Sequence, residues 1–507
     1  MKPSLAAVFS GPARKRWVAF VAGCALVLSF QPFALVWLAP LSLACLILLW
    51  EGTTPRQAGW IGYCYGLGLF TAGTYWLYVS LNILGGLWPP VALFMMACLI
   101  AVLAIYVAIT GYLAVRIVPG SGLLRWLLII PAVWTLTEWL RGWLFTGFPW
   151  LSVGYSQVET PLGALAPVLG VYGVTWASLM CAGVVVCLVQ AAFVTRLVVF
   201  VLSVLAFMGL TSLADMEWTR AADRELRVTL VQGAVPQELK WKPQQLEPTL
   251  ELYQSLSNSQ GDRDLIIWPE AAIPALPFEV PEFLLALNEQ MVSTDTQLFA
   301  GILTYDPKLG EYKNTLWAMG AEEGMYFKRH LVAFGEYFPL PDFAKRILRI
   351  MNLPSESIMP GAADQPLLLA KGVPVAATIC YEIAFAAEQL AFFPAAQLMV
   401  NVSNDAWFGN SIAPHQHLQI GQMRALETGR YLLRATNTGI TAVVDPRGTV
   451  TDRIPQFAPG VLNAVVQPYL GATPFVTMGN WPVVTALFLL AAIAGLPRFF
   501  ADRKKSA

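Results

Sequence analysis

Residues 375–382 read Val-Ala-Ala-Thr-Ile-Cys380-Tyr381-Glu382, an apolar run of strand character that ends on a thiol. Cys380 is the one cysteine of the polar part of the chain. The other six (Cys24, Cys45, Cys64, Cys98, Cys181 and Cys187) lie in long apolar stretches. A single thiol in a polar domain has no disulfide partner there, so it is either an inert core residue or a nucleophile. Two further peptides favour the nucleophile. Residues 265–272, Leu-Ile-Ile-Trp-Pro-Glu270-Ala-Ala, deliver a carboxylate at the end of another apolar strand. Residues 326–336, Tyr-Phe-Lys328-Arg-His-Leu-Val-Ala-Phe-Gly-Glu336, supply an ammonium and a second carboxylate. Taken singly, each has a bland reading: Glu270 caps a helix start and Lys328 is a solvated charge.

Together the three types suffice for acyl transfer. A carboxylate takes the proton of the thiol, and the thiolate attacks an acyl carbon. The resulting oxyanion is stabilised by an ammonium and a backbone N–H. No histidine is needed; the three in the chain, His330, His415 and His417, show no evident pairing with Cys380. His415 and His417 are two apart on an expected helix and so do not share a face. No metal-ligand spacing and no glycine-rich phosphate loop is present, so neither metal nor cofactor is expected.

Around this domain the composition changes. The 507 residues are 56% hydrophobic and 13% charged, with a formal net charge of +0, which gives no reason to expect a nucleic-acid partner. Before residue 216 the acids are Glu51, Glu138, Glu159 and Asp215, whereas from Glu217 to about Arg453 the composition is that of an ordinary globular domain. We therefore expect a polytopic α-helical membrane bundle with a soluble domain inserted before the last span. Eight spans are expected, near 17–31, 34–50, 58–80, 88–115, 123–140, 164–192, 195–213 and 478–497. The basic run before the first is read as flanking a retained span rather than a cleaved signal.

Lys2, Arg14–Arg16, Arg56, Arg116, Arg125, Arg196 and the Arg498–Lys505 cluster all fall on one side of an eight-span arrangement, which makes that side cytoplasmic. Both termini are then cytoplasmic. The domains expected are 1–215 (seven spans), 216–475 (outside the cytoplasm) and 476–507 (last span and basic tail). Glu138 and Arg141 are either an ion pair at the interface or a contact to a lipid headgroup.

Within the soluble domain, strands are expected at 227–232, 265–268, 298–303, 315–319, 375–379, 398–402 and 442–445. Helices are expected at about 243–258, 280–293, 383–391 and 415–434. Alternation of this kind argues for a layered α/β domain.

The peptides Trp-Pro-Glu270, Lys328…Phe-Gly-Glu336 and Cys380-Tyr-Glu382 resemble the nitrilase superfamily of carbon–nitrogen hydrolases, which implies a Glu-Lys-Cys trio on an α-β-β-α sandwich. With the apolar segments added, nearly the whole chain is similar to the apolipoprotein N-acyltransferase family. Further support lies in residues 232–241 (Gln-Gly-Ala-Val-Pro-Gln-Glu-Leu-Lys-Trp), 147–150 (Gly-Phe-Pro-Trp), 401–409 (Asn-Val-Ser-Asn-Asp-Ala-Trp-Phe-Gly) and 479–482 (Gly-Asn-Trp-Pro).

The resemblance implies that Cys380 takes the sn-1 acyl chain of a phospholipid, typically phosphatidylethanolamine, as a thioester. The chain then passes to the α-amine of a diacylglyceryl-cysteine at an apolipoprotein's N-terminus, the last step of lipoprotein maturation. Glu270 is the implied base and Lys328 the oxyanion partner, with the Tyr381 N–H. Glu336 holds Lys328 or assists proton transfer, Tyr381 and Glu382 support the nucleophile, and Trp241 lines the lipid pocket. The implied location is a bacterial inner membrane, with the catalytic domain in the periplasm.

One departure is visible: the family usually has proline where this chain has Ala333. Trp407 and Phe408 either contact acyl chains or pack the core; Phe148 and Trp150 form a lipid entry or an aromatic belt. Residues 343–359 are amphipathic and read as a lid over the site or a plain surface helix. Two other activities fit parts of the pattern: a membrane-tethered amidase using the same trio, and a transporter with an external sensory domain.

Overall fold

The computed structural model describes residues 11–258, 261–337 and 358–506, with side chains through 497. Of the expected amphipathic segment 343–359, all but Ile358 and Met359 lies outside the described residues. The chain divides into two compact units. One comprises residues 1–217, 410–419 and 473–507; the other comprises 218–409 and 420–472. The expected catalytic segment 216–475 thus gives residues 216–217, 410–419 and 473–475 to the helical unit.

The helical unit contains long helices at Pro12–Val27, Leu38–Leu49, Pro55–Thr74, Pro89–Ile117, Ile130–Arg141, Ala166–Gln190, Phe193–Ala214 and Trp481–Ser506. Among the described residues, three stretches, Pro89–Ile117, Pro161–Gln190 and Phe193–Ala214, are long and apolar enough to cross a membrane. Small residues set the packing. A Cβ on Gly68 would lie 2.0 Å from the Phe20 carbonyl oxygen, one on Gly23 2.1 Å from that of Tyr65, and one on Gly62 2.5 Å from that of Val107. Without the driving force of water, close backbone approach of this kind is how apolar helices associate. Phe193–Ala214 is the extreme case: Val199 is its one buried residue, and Phe193, Leu202, Leu205 and Met208 are exposed. An apolar face of that size suits a lipid surround.

Glu138 and Arg141 prove to be tied internally. Glu138 accepts hydrogen bonds from Trp134 Nε1 (2.9 Å), Val153 N (3.1 Å) and Thr175 Oγ1 (3.0 Å). Arg141 donates to the carbonyls of Phe148 (2.6 Å) and Trp150 (2.5 Å). Both side chains are buried, which favours the structural reading of the pair over the headgroup one.

The second unit is built on two six-stranded sheets. The first uses β2 (Leu226–Gln232), β3 (Leu265–Ile267), β4 (Gln297–Asp306), β5 (Glu311–Met319), β6 (Gly324–Phe327) and β13 (Gly460–Val466), in the order β13-β2-β3-β4-β5-β6. The second uses β7 (Leu368–Ala370), β8 (Val373–Ile379), β9 (Leu398–Ser403), β10 (Leu432–Thr436), β11 (Ala442–Val444) and β12 (Val450–Arg453), in the order β12-β11-β10-β9-β8-β7. A short ribbon pairs β1 (Thr219–Ala221) with β14 (Tyr469–Gly471). The sheets pack face to face, β10 on β2 and β5 on β8.

Helices Pro243–Asn258 and Pro281–Ser293 cover the outside of the first sheet, burying Leu250, Tyr253, Leu287 and Met291 with Trp268 and Ile302. This is an α/β sandwich of the kind the sequence pattern implied.

Two details differ from the sequence reading. The helix expected over 415–434 is Ala413–Thr428, and β10 follows it. Gly429 ends the helix with φ 63, the left-handed conformation that glycine adopts at no steric cost. Leu432–Thr436 then continues as a buried strand between β9 and β11. β6, β7, β12 and β13 were also not expected; they are short or partly exposed and so lack a strong apolar signature.

The turn that carries Glu270 depends on one glycine. A Cβ on Gly301 in β4 would lie 2.3 Å from the Pro269 carbonyl oxygen, 2.6 Å from Ala271 N and 2.7 Å from Glu270 Cα. All three are backbone atoms and cannot swing aside. Gly301→Ala is expected to destabilise this unit by about 1–3 kcal/mol and to displace Glu270. Thermal melting of the full chain in detergent checks the first expectation, and the rate at which iodoacetamide alkylates Cys380, whose thiol feels the charge of Glu270, checks the second.

Candidate active site

Three strand ends converge. Glu270 follows β3, Lys328 follows β6 and Cys380 follows β8. Parallel pairing of β2, β3 and β4 in one sheet, and of β8, β9 and β10 in the other, sets carboxyl ends of strands side by side. Cys380 itself has φ 56, an uncommon conformation for a residue with a Cβ, and opens a tight turn over Cys380–Ala384. Strain of this kind persists only where the surroundings enforce it.

Glu270 is buried, and both of its oxygens are held. Asn314 Nδ2 donates to Oε1 (2.7 Å) and Asn404 N to Oε2 (2.7 Å). Its carbonyl accepts from Lys240 Nζ (3.1 Å). Lys328, 1% exposed, donates to Glu336 Oε1 at 2.8 Å and stands 3.7 Å from Glu270 Oε1. Asn314 Nδ2 also approaches Glu336 Oε1 (3.3 Å), and Val332 N donates to Glu336 Oε2 (2.8 Å). One ammonium and one amide thus sit between two carboxylates. Burial alone would lower the pKa of Lys328; the charges of Glu336 and Glu270 outweigh it, and the pKa is raised. Lys328 is therefore a permanent cation, fit to stabilise an oxyanion.

Cys380 keeps some solvent-accessible surface, yet it lies deep enough for burial to dominate its titration. Burial raises the thiol's pKa, and Glu270 adds to the rise. Lys328 opposes it, Asp405 reinforces it, and a hydrogen bond with Ser403 opposes it; the net direction is up. At neutral pH the resting group is a thiol, so a base must act before it can attack.

Glu382 is a structural anchor. Its carboxylate accepts from Tyr326 OH (3.0 Å), Arg329 N (2.6 Å), His330 N (3.1 Å) and Ile379 N (2.6 Å). It thereby ties the peptide after β6, which bears Lys328, to the end of β8, which bears Cys380. Tyr381 is half-buried and packs edge-on to Phe385, with ring centroids 5.0 Å apart.

The loop where Ala333 replaces proline is closed by backbone hydrogen bonds: Phe334 N to Tyr337 O (2.7 Å) and Glu336 N to Val332 O (2.9 Å). Trp241 and Trp407 are exposed, and Phe408 is half-buried. Phe148 is half-buried and Trp150 fully buried, both in the helical unit. There Trp150 Nε1 donates to Gln416 Oε1 (2.6 Å), and its ring packs against Trp76 and His417. Trp150 is a packing residue of that unit rather than part of an open entry.

Sequence reasoning missed Asn314, which has no motif around it, and gave no role to Lys240 or Asn404, although both lie in peptides it had singled out. Among the described residues, no cluster of His, Cys, Asp or Glu is arranged to hold a metal.

Two substitutions probe this frame. Glu382→Gln puts an N–H₂ where backbone N–H groups now donate; a loss on the order of 3 kcal/mol is expected, read as a lowered melting temperature. Lys240 is buried, which pulls its pKa down to about 8 despite the opposing charge of Glu270. Between there and the ordinary lysine value near ~10.4, the unfolded chain carries a proton that the folded one lacks, so stability rises with pH across that window. Lys240→Met is expected to abolish this contribution, seen as a flatter dependence of melting temperature on pH than in the parent.

The similarities found among known proteins agree with this geometry. Residues 22–184 match the apolipoprotein N-acyltransferase N-terminal domain, and residues 227–475 match the carbon-nitrogen hydrolase family. A protein of Methylococcus capsulatus named apolipoprotein N-acyltransferase is 42% identical over 97% of this chain and 96% of its own length. Proteins of the same name from Photobacterium profundum (41% identical, 92% of each chain) and Nitrosomonas europaea (42% identical, 96% of this chain and 98% of its own) are similar to it throughout. With both of its regions matched and its length nearly spanned, the chain belongs to the apolipoprotein N-acyltransferase family.

Proposed function

We propose that this protein moves an acyl chain from a phospholipid to the N-terminal amine of an apolipoprotein through a thioester on Cys380. The feature that supports the reading is an enclosed thiol whose pKa burial raises and on which the charges of Glu270, Lys328 and Asp405 act. It occurs in a chain whose relatives along nearly its full length bear the transferase name.

In the first half-reaction Glu270 takes the thiol proton and the sulfur attacks the sn-1 ester carbonyl, phosphatidylethanolamine being the expected donor. The oxyanion is met by Lys328 and the Tyr381 N–H. Collapse breaks the ester bond, and the departing lysophospholipid oxygen takes the proton back from Glu270. In the second half the α-amine of a diacylglyceryl-cysteine attacks the thioester. Glu270 accepts the amine proton, the amide forms, and the sulfur leaves and is reprotonated. Glu336 keeps Lys328 in place. The exposed Trp241 and Trp407 are the aromatic surfaces offered to acyl chains.

In this reading the helical segments are eight spans of a bacterial inner membrane. Residues 216–475 face the periplasm and both termini face the cytoplasm, as the distribution of Lys and Arg supports. A membrane location suits substrates that keep their chains in the bilayer.

The test is incubation of the purified protein with phospholipid labelled in its sn-1 chain, followed by peptide mapping. A hydroxylamine-labile adduct on Cys380, discharged by a diacylglyceryl-cysteine peptide and absent in Cys380→Ser, is expected. No adduct, with ammonia released from simple amides instead, would replace the transferase with an amidase.

A further inference from the structure

The strand next to the nucleophile carries groups that the mechanism above does not use. β9 runs parallel to β8 with Thr378 opposite Asn401 and Ile379 opposite Val402, where the ladder ends; Cys380 follows β8, Ser403 is the next residue of β9, and a hydrogen bond joins their side chains. On the other side of β9, Arg434 stands opposite Asn401 and Thr436 opposite Ser403. Side chains two apart on a strand share a face. Thr378, Asn401, Ser403, Arg434 and Thr436 therefore form one polar patch on a single face of the second sheet, and Cys380 follows directly at the end of β8.

The patch is wired together. Asn401 Nδ2 donates to the Cys380 carbonyl (3.3 Å) and to Thr378 Oγ1 (3.0 Å), and its Oδ1 accepts from Arg434. Arg434 Nη2 donates to Asp405 Oδ2 (2.7 Å), and both side chains are 0% exposed. Ser403 Oγ donates to the other oxygen of Asp405 (2.7 Å). Between them, Asn404 N donates to Glu270 Oε2 (2.7 Å). The space for Asp405 exists because residue 439 is glycine; a Cβ there would lie 2.4 Å from Oδ2. A buried ion pair adds little stability over apolar residues of the same volume, so this one invites a role.

We propose that Ser403, oriented by the buried Asp405–Arg434 pair, is a positioning residue that fixes the Cys380 thiol in line with Glu270. The tripeptide Ser403-Asn404-Asp405 grips nucleophile and base at once, through a hydroxyl and a backbone N–H one residue apart. With its own proton given to Asp405, Ser403 Oγ accepts the S–H. When Glu270 removes that proton, the hydroxyl turns to donate to the sulfur. The inference rests on Cys380 being the nucleophile.

The charged groups that act on the thiol are Glu270, Lys328 and Asp405, with Arg434 paired to the last. Ser403 favours the thiolate and Asp405 disfavours it, so their removal shifts the titration of Cys380 in opposite directions. The rate of Cys380 alkylation by iodoacetamide is followed by peptide mapping in the full-length protein at one fixed pH, about 9, where the thiol is mostly protonated and the rate reports its thiolate fraction, for the parent, Ser403→Ala, Ser403→Thr and Asp405→Asn.

Ser403→Ala is expected to slow alkylation at that pH and to slow Cys380 acylation on the order of tenfold with KM for phospholipid unchanged. Ser403→Thr restores both, and Asp405→Asn speeds alkylation. A Ser403→Ala protein that matches the parent in alkylation and acylation rates would overturn the proposal. The Ala and Thr variants decide it even if Asp405→Asn does not fold. A set of variants that alkylates at the expected relative rates, in a parent that takes no acyl label, would instead refute the acyl-transfer reading.

Discussion

A buried ammonium between two carboxylates is the constraint on which this site depends. Lys328 cannot lie 1% exposed without charge to answer it, because desolvation of a lone ammonium costs several kcal/mol. Glu336 answers it directly and Glu270 from slightly farther away. The two carboxylates repel one another in turn, and Asn314 shares its amide between them. Removing any one of these groups leaves the others buried and unmatched. Loop 328–336, the end of β3 and the middle of β5 are therefore a single electrostatic unit, although they are scattered along the chain.

The sandwich makes that unit possible by putting strand ends in register. β3 brings Glu270, β8 brings Cys380 and β9 brings Asn404 between them, each at a carboxyl end within a parallel stretch. Helices on the outside anchor the sheets through ordinary apolar packing, and Glu382 ties the two sheets at the site. The aromatic residues nearby divide by exposure: Trp268 and Tyr253 serve the core, while Trp241 and Trp407 remain at the surface.

Much of this was legible in the sequence. An apolar β-rich run that ends on Glu, Lys or Cys announces both the strand and the group it presents, and a change from apolar to mixed composition announces the separate units. The rest was hidden for definable reasons. Asn314 sits mid-strand with no local signal, and its importance comes from two carboxylates brought in from elsewhere. β10 followed a helix without a proline to mark the change, and only Gly429 hinted at the break. The transfer of residues 410–419 to the helical unit depends on contacts such as Trp150 to Gln416, which no periodicity encodes. The eight expected crossings were read from hydropathy; among the described residues, three stretches are long and apolar enough to cross by length and composition alone.

The raised pKa of Cys380 has a consequence for chemical durability. Oxidation to sulfenic acid, like metal capture, proceeds through the thiolate. A thiol held protonated by burial offers peroxide little to react with. The remaining six cysteines all lie before residue 188, so the second unit holds no resolving thiol to form a disulfide with a sulfenate. A lone thiol with no partner cysteine in its unit is thus shielded from oxidation by staying protonated.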